Sequence, residues 1–350
     1  MTTFQRFVGL SVILLTATLF AARAMAAGTA PPLYKIVEEV PLGAPDKWDF
    51  VDFDAASDRV YVSHGTEVTV VDGGTGKLVG RIRGIDGSHG VAVAPSLGRG
   101  YADATNAKSL VAFDLKTLKP LATVPAGEDA DAVAYDPLTK RVFVMDADGA
   151  AVTAVDAVRN KTLSTTPLKA KPESAVADGA GNLFINGAST REVLRMDTRT
   201  LAITARWPVP DCESPHGLAI DTETHRLFVS CRNAKLLVIA GDNGRVVAAL
   251  PIGKGTDSAA FDPKRKYVFS SNGDGTLSVI AERNADTFVS LGNVPTAPGA
   301  RTMAVDPATG RVFLVAAGVA KVEPPKAAGR APHFVFTPGS VKLLILDPRA

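Results

Sequence analysis

The sequence predicts an all-β protein, a seven-bladed β-propeller with four antiparallel strands in each blade. Three observations support this fold class. Short strand-like runs recur at intervals of 40 to 44 residues, and four such runs fill each interval. No stretch beyond the first 26 residues keeps the 3.6-residue apolar period of a helix. A period of about 40–45 residues with four strands per unit is typical of propeller blades.

The first run of each repeat ends in an acidic residue or in a residue that replaces it in the turn. The starts of successive copies lie 40, 42, 42, 43, 41 and 44 residues apart. Seven copies predict seven blades. The copies are WDFVDFD 48–54, SHGVAVA 88–94, ADAVAYD 130–136, PESAVAD 172–178, PHGLAID 215–221, TDSAAFD 256–262 and ARTMAVD 300–306.

Three further runs follow each first run. A second run such as RVYVS 59–63 precedes a third run such as VTVVD 68–72, and the turn GGTGK then leads to a fourth run, LVGRI 78–82. These runs are rich in Val, Ile, Phe and Tyr and are bounded by Gly, Pro, Asp and Asn, which is the composition of short β-strands and their turns.

The seventh repeat contains only three of its four strands before the sequence ends. A propeller must close without an open strand edge. The run YKIVEEV 34–40 precedes the first repeat and is followed by PLG, just as the fourth run of the fifth repeat is followed by PIG 251–253. We therefore predict that Tyr34–Val40 completes the last blade, beside VKLLILD 341–347.

The repeat also has a family resemblance. Runs such as RVYVSHGTEVTVVDGGTGKLVGRI 59–82 resemble the YVTN repeat of YncE-like seven-bladed propellers. The resemblance spans nearly all of the chain after the first 26 residues, and it implies a seven-bladed propeller in an exported bacterial protein. Related propellers include binding modules, lactonases, lyases and subunits of redox enzymes, so the resemblance indicates a fold and does not select an activity.

The first 26 residues have the pattern of a secretory signal. Arg6 precedes the uncharged run 7–20, and AARAMA ends in small residues at the spacing of a cleavage site. The uncharged run is shorter than the ~20 residues of a membrane-spanning helix, which argues against an anchor. We expect a signal peptide, 1–26, and a single propeller domain, 27–350, in a periplasmic or secreted monomer without a membrane span.

The charge balance argues against nucleic acid as a partner. The chain has 38 Lys and Arg against 36 Asp and Glu, and the predicted signal holds two of the bases and none of the acids. The remainder therefore carries no basic excess of the kind that binds phosphate backbones. The expected partner is a small-molecule ligand or a periplasmic protein.

The second position of every first run holds an ionisable residue. The first strand of each blade lines the central channel of a propeller. The position therefore predicts a ring of seven charged or polar side chains at one mouth of the channel. The seven residues are Asp49, His89, Asp131, Glu173, His216, Asp257 and Arg301.

This ring predicts a divalent metal ion of unknown identity. Imidazole and carboxylate together suit Zn²⁺, Mn²⁺, Fe or Ni²⁺, whereas carboxylates alone suit Ca²⁺ or Mg²⁺. Asp49 and Asp257 are candidate catalytic bases, Arg301 is a candidate for binding an anionic group, and His64 is a further ligand-binding candidate on the same face. A solvated polar rim that binds nothing is the alternative. The expected metal ligands are His89, Asp131, Glu173 and His216.

Two classes of function fit these residues. The first is the binding of a small ligand through a metal, extending to metal-dependent hydrolysis or elimination of the lactonase kind. The second is a non-catalytic periplasmic binding or scaffold protein that uses the same face. A redox role would need a partner's cofactor, because the sequence has no C-x-x-C-H haem site.

Two other features lie on the ring face of the predicted propeller. Cys212 and Cys231 belong to the same blade, so a disulfide is expected in an oxidising compartment, where it would hold the loop that carries His216. The connection 316–340 is much longer than its counterparts, and its composition predicts no packed core of its own. Its segment HFVF 333–336 is either an apolar cover for the channel mouth or part of a surface insertion.

Overall fold

The structure is a computed structural model that describes residues 1–2, 33–325 and 332–349. The chain separates into two compact units, Met1–Pro31 and Pro32–Ala350. Apart from Met1 and Thr2, the predicted signal peptide lies outside the described residues. Within the described ranges, no helix is long and apolar enough to cross a membrane.

The second unit is a seven-bladed β-propeller with four antiparallel strands in each blade, as predicted. Two short 3₁₀ helices, Pro95–Leu97 and Thr105–Ala107, flank the second strand of blade two. Blade one contains β2 (Val51–Asp54), β3 (Arg59–Asp72) and β4 (Leu78–Ser88). Blade two contains β5 (Val91–Ala94), β6 (Arg99–Ala104), β7 (Ser109–Asp114) and β8 (Pro120–Pro125). Blade three contains β9 (Ala130–Asp136), β10 (Arg141–Asp146), β11 (Ala151–Asp156) and β12 (Lys161–Pro167). Blade four contains β13 (Pro172–Ala177), β14 (Asn182–Gly187), β15 (Glu192–Asp197) and β16 (Ile203–Pro208). Blade five contains β17 (Pro215–Asp221), β18 (Arg226–Cys231), β19 (Lys235–Ala240) and β20 (Val246–Pro251). Blade six contains β21 (Thr256–Asp262), β22 (Tyr267–Asn272), β23 (Thr276–Asn284) and β24 (Thr287–Pro295).

Blade seven is completed by the N-terminal strand β1 (Tyr34–Pro41). Its sheet has the order β1, β29 (Lys342–Pro348), β26 (Val312–Ala316), β25 (Met303–Val305). β1 runs antiparallel to β29, with Tyr34 opposite Pro348 and Pro41 opposite Lys342. The predicted closure is therefore confirmed, because β1 pairs with the edge of β29 that would otherwise be open.

Blade one differs from the others in its middle strands. β3 is continuous from Arg59 to Asp72, and it occupies both middle positions of the blade. Its first part pairs with β2, and its second part, from Gly65 to Val71, pairs with β4. His64 lies at the bend between the two parts and is fully buried.

The apolar cores lie between the blades. Among the described residues, seven hydrophobic clusters form, one at each boundary between neighbouring blades. A middle strand such as β10 is buried on both faces and is accordingly almost entirely apolar, whereas the outer strand β12 alternates between exposed and half-buried residues. Each blade thus stabilises its two neighbours, and the stability of the propeller depends on contact between the first and last blades.

Arginines at the start of the second strands link neighbouring blades. Each guanidinium donates to a backbone carbonyl in the third-to-fourth-strand turn of the following blade, and Arg311 makes this bond from blade seven back to Gly73 of blade one, at 2.7 Å. These bonds satisfy turn carbonyls that the strand ladders leave free. The other members of the set are Arg59, Arg99, Arg141 and Arg226.

A buried carboxyl pair lies between blades five and six, at the end of β17 opposite to His216. Glu282 is almost fully buried and accepts a hydrogen bond from Thr224 at 2.9 Å. Burial raises the pKa of Glu282 to about 7, and the neighbouring Asp221 carboxylate adds to the effect. Asp221 itself is held by the Lys266 ammonium at 3.1 Å.

We expect the Glu282→Gln variant to be more stable than the wild type at pH 8 but equally stable at pH 4. Glu282 binds its proton more tightly in the folded state than in the unfolded state, so folding stability falls as pH rises between the two pKa values, roughly 4.5 and 7. Glutamine mimics the protonated form and removes this loss, which amounts to about 1–3 kcal/mol above pH 7. Urea denaturation at both pH values measures the difference.

The exposed Glu223, which also contacts Lys266, provides the control for this substitution. Glu223→Gln should give no gain at pH 8. An equal effect of Glu282→Gln at pH 4 and pH 8 would show that the gain comes from packing rather than from proton binding.

Candidate functional site

The structure brings the seven predicted ring residues together at the start of the innermost strands. Four of them are the second residues of β9, β13, β17 and β21, and the other three each lie two residues before β2, β5 and β25. The innermost strands neighbour one another around a central cavity of about 380 Å³. The residues that directly follow six ring members line this cavity: Phe50, Gly90, Ala132, Ser174, Gly217 and Ser258. The ring therefore lies at one end of the channel.

The glycines that follow the two ring histidines allow neighbouring inner strands to approach closely. A Cβ atom on Gly90 would lie 2.6 Å from the backbone nitrogen of Val133 in the next blade. A Cβ atom on Gly217 would meet the backbone of Ser258 and Ala259 in the same way. Glycine is required here because the backbone of the adjacent blade occupies the space of a side chain.

The first group of ring residues consists of Asp49, His89 and Asp131, from blades one to three. The Nδ1 atom of His89 lies 3.0 Å from Asp49 Oδ2 and 3.4 Å from Asp131 Oδ1. Hydrogen bonds to Asp131 and Asp49 raise the pKa of His89 to about 10. Burial raises the pKa of Asp49 to about 6, although the hydrogen bond from His89 opposes the shift. At neutral pH this group holds an imidazolium between two carboxyl groups.

The second group consists of Glu173, His216 and Asp257, from blades four to six. The Nε2 atom of His216 lies 3.1 Å from Glu173 Oε1 and 3.7 Å from Asp257 Oδ1. Burial raises the pKa of Glu173 to about 8, and the charges of Asp131 and Asp257 add to it. Burial lowers the pKa of His216. Its imidazole is therefore neutral at neutral pH, unlike that of His89.

The backbone around His216 determines which of its ring nitrogens carries the proton. The Nδ1 atom lies 2.9 Å from the Ser214 carbonyl oxygen. A carbonyl oxygen can only accept, so Nδ1–H donates this bond and the lone pair of Nε2 faces Glu173 and Asp257. The His216 carbonyl is itself held by Asn186 Nδ2 at 2.8 Å and by the Ser174 hydroxyl. The imidazole of His216 is thus held in one tautomer and one orientation.

Two arginines bind the carboxylate of Asp257. Arg301 Nε lies 2.7 Å from Oδ2, and Arg232 Nη2 lies 3.0 Å from Oδ1. Burial alone would raise the pKa of Asp257, but the charge of Arg301 and the charge and hydrogen bond of Arg232 lower it below the usual value. In turn, Asp257 raises the pKa of Arg301. Asp257 is therefore ionised at neutral pH.

A disulfide supports this side of the ring. Cys212 and Cys231 are both fully buried and are bonded to each other, as predicted. Cys212 lies two residues before Ser214, and Cys231 directly precedes Arg232. The backbone N–H of Arg232 donates to the Glu213 carbonyl at 2.9 Å. The disulfide therefore holds together the segments that orient His216 and that bind Asp257.

The four expected metal ligands do not form one group. The structure divides them, with His89 and Asp131 in the first group and Glu173 and His216 in the second. In each group the potential ligand atoms lie within 4.8 Å of one another. Asp49 and Asp257, expected as bases, complete the two groups, and Arg301 contacts Asp257.

His64 lies apart from both groups, inside blade one. Its Nδ1 atom is 2.9 Å from the Thr69 hydroxyl and 3.9 Å from Glu67. Burial lowers the pKa of His64. Its position after the second strand suggested the ring face, but His64 is fully buried within the continuous strand β3.

Sequence reasoning missed several residues that support the ring. Asp103 accepts the backbone N–H of His89 at 2.7 Å and of Gly90 at 2.9 Å, and Ser271 donates to the Arg301 carbonyl. Asp103, Asn186 and Ser271 are polar and are each the penultimate residue of a second strand, in β6, β14 and β22, and that repeated position was the available signal. Arg232 and Ser214 carry no such signal, because their contacts depend on the path of the loops.

The long connection in blade seven forms a small hairpin of its own, β27 (Val319–Glu323) and β28 (His333–Phe336). Phe336 packs edge-on against Trp48, with ring centroids 4.8 Å apart, and lies directly beside Gly299. Trp48 precedes Asp49, and Gly299 lies two residues before Arg301. The hairpin therefore packs beside the ring at the boundary between blades seven and one.

Comparison with known proteins supports the fold. No protein-family model matches this chain, and no curated protein matches it. Among solved structures, the chain is similar to the RRP9 WD40 repeats, with 10% identity, a TM-score of 0.72, and coverage of 90% of this chain and 97% of that one. It is also similar to a chain of the mitotic checkpoint complex, with 13% identity, a TM-score of 0.70 and coverage of 99% of both chains. A chain of hydrazine synthase from Kuenenia stuttgartiensis gives 13% identity and a TM-score of 0.66, with coverage of 83% of this chain and 96% of that one. Likenesses at this identity extend to the propeller fold alone.

Proposed function

We propose that this chain is an exported, YVTN-repeat type propeller that binds a small ligand through one divalent metal ion at Glu173, His216 and Asp257. The apolar leader pattern before residue 27 and the buried disulfide support export to an oxidising compartment, periplasmic or secreted. The seven repeats and the seven blades support the family assignment. The ring at the channel end is the binding face.

The orientation of His216 carries this proposal. A neutral imidazole that donates Nδ1–H to the Ser214 carbonyl directs the lone pair of Nε2 at two carboxyl groups, so acceptors face one another. Such an arrangement needs a proton or a cation between the acceptors. Metal-binding histidines are typically held in this way, with the second ring nitrogen donating to a carbonyl or carboxylate.

The spacing of the ligand atoms also fits a metal ion. Two ligands with bonds of about 2.0–2.2 Å to one ion lie roughly 3.0–3.5 Å apart in octahedral or tetrahedral geometry. The separations from His216 Nε2 are 3.1 Å to Glu173 and 3.7 Å to Asp257. One nitrogen and two carboxylate oxygens suit Zn²⁺, Mn²⁺, Fe²⁺ or Ni²⁺.

The first group has similar spacing but already contains a cation. Asp49 and Asp131 flank the proton on Nδ1 of His89, and its raised pKa makes this proton costly to remove at neutral pH. A metal ion at the first group would have to displace this proton, since the pKa of His89 is about 10, whereas at the second group it would displace the more weakly held proton of Glu173, whose pKa is about 8. We therefore expect one ion per chain.

Metal-dependent hydrolysis or elimination of the lactonase kind is the second candidate. It is favoured by Asp49, a carboxyl group that interacts electrostatically with Asp257 and Arg301 and could accept a proton beside a metal-bound ligand. Metal-dependent turnover of a set of simple lactones would support catalysis. Metal and ligand binding without turnover would favour the non-catalytic binding protein.

We expect the chelator-treated protein to bind one equivalent of Zn²⁺ or Mn²⁺ per chain, as measured by titration calorimetry and elemental analysis. His216→Ala and Glu173→Gln should each weaken binding at least about 100-fold, because the loss of a ligand should exceed the 10–100-fold effects of outer-sphere changes. The thermal midpoints of the metal-free proteins should stay close to that of the wild type.

His225→Ala is the matched control, since His225 is exposed and pairs with Asp242 at the other end of blade five. It should bind metal as the wild type does. Equal affinity in the wild type and in His216→Ala, or no uptake by any of them, would leave the ring a solvated polar rim.

A further inference from the structure

The two arginines that bind Asp257 use only a small part of their hydrogen-bonding capacity on it. Each guanidinium has five N–H donors in a planar fork. Asp257 receives one atom from each arginine, at 2.7 and 3.0 Å, and its side chain is only 8% exposed. The side chains of Arg301 and Arg232 are 45% and 37% exposed. Within the described part of the chain, the buried Nε atom of Arg232 has no hydrogen-bond partner.

The composition of the ring explains why a metal ion would favour an anion here. Four carboxyl groups, two histidines and the two arginines share one small space at the channel end. A divalent ion at Glu173, His216 and Asp257 would add two positive charges to this space. The field of those charges acts on any ligand that enters, and it attracts an anion.

We propose, on the basis of the function above, that the ligand is a small monocarboxylate that Arg301 and Arg232 bind beside the metal ion, and that the bound ion strengthens its binding. A planar guanidinium fork matches a carboxylate through two parallel hydrogen bonds. A monoanion brings one negative charge to the metal ion, whereas a phosphate dianion would bring two close to the four carboxyl groups of the ring. Metal and carboxylate thus favour each other's binding reciprocally.

Glycolate, a small 2-hydroxy monocarboxylate, is a suitable probe for titration calorimetry. Zn²⁺-loaded wild-type protein should bind glycolate at least about 10-fold more tightly than the chelator-treated protein. Arg301→Gln and Arg232→Gln should each weaken glycolate binding by about 10- to 100-fold, the value of one lost charge-assisted contact, while still taking up Zn²⁺. Arg245→Gln, at an exposed arginine that contacts Asp286 in blade six, should leave both affinities unchanged.

The outcomes separate this proposal from the preceding one. Zn²⁺ uptake without glycolate binding would overturn the carboxylate assignment and leave the metal site intact. Equal glycolate affinity with and without Zn²⁺ would overturn the role of the metal ion in carboxylate binding, and tighter binding of inorganic phosphate than of glycolate would assign the site to phosphates instead. Absence of Zn²⁺ uptake would remove both proposals together.

Discussion

Deletion of residues 34–41 should abolish the soluble folded monomer. Without β1 the backbone edge of β29 becomes unpaired along its length, from Lys342 to Pro348. The deletion also removes Tyr34 and Val40, which are buried in the clusters on either side of blade seven. Burial of these two side chains contributes about 1.5–3 kcal/mol each to the free energy of unfolding. Together with the seven backbone pairings between β1 and β29, the loss approaches the whole net stability of a typical domain, roughly 5–15 kcal/mol.

The measurement is the soluble yield, together with gel filtration and the cooperativity of urea unfolding. An exposed apolar edge strand is also a template for aggregation, so we expect the protein in the insoluble fraction. Replacement of residues 321–334, a range that starts in β27 and ends in β28, by two glycines is the control and should leave a soluble, cooperative monomer. A soluble monomer without β1 that still unfolds cooperatively would refute the closure.

Removal of the disulfide should lower both stability and metal affinity. A bond between residues 19 positions apart restricts the unfolded chain and contributes about 3 kcal/mol on the loop-entropy model. The Cys212→Ala, Cys231→Ala double variant should lose about this amount in urea denaturation. It should also bind Zn²⁺ more weakly, because the disulfide holds the backbone near Ser214 and Arg232, which orient His216 and Asp257.

Reduction supplies the internal control for this variant. Under fully reducing conditions the wild type should approach the double variant in both measurements. The wild type isolated under oxidising conditions should show no free thiol when denatured without reductant. Two free thiols per chain, or a double variant as stable as the oxidised wild type, would contradict the expectation.

The repeat determined much of what the sequence could predict about the fold. Each blade is a local unit of about 40 residues, and its strands are separated by short turns rich in Gly, Asp and Asn, so strand number and order follow from the pattern along the chain. The exception in blade one, where β3 is continuous, is local as well. The sequence did not reveal it because the residues between the second and third runs, 64–67, resemble those of an ordinary turn.

The ring positions were also predictable, because each is a fixed step within a repeat. Their grouping was not. The sequence favoured a single arc of four metal ligands that starts at His89 and ends at His216. The structure instead forms two groups, each centred on one of the two histidines. His89 and His216 occupy equivalent positions and are both followed by glycine, yet one is a protonated partner of two acids and the other a neutral acceptor.

The sequence by itself therefore determined the seven blades, the closing strand, the disulfide and the seven ring positions, since all of these follow from periodicity, composition and position within a repeat. Only the tertiary structure decided the chemistry of the ring. The tautomer of His216 depends on the Ser214 carbonyl, and the charge of Asp257 depends on Arg232 and Arg301. Interactions of this kind act over about 3 Å between separate segments, and neither periodicity nor composition specifies such distances.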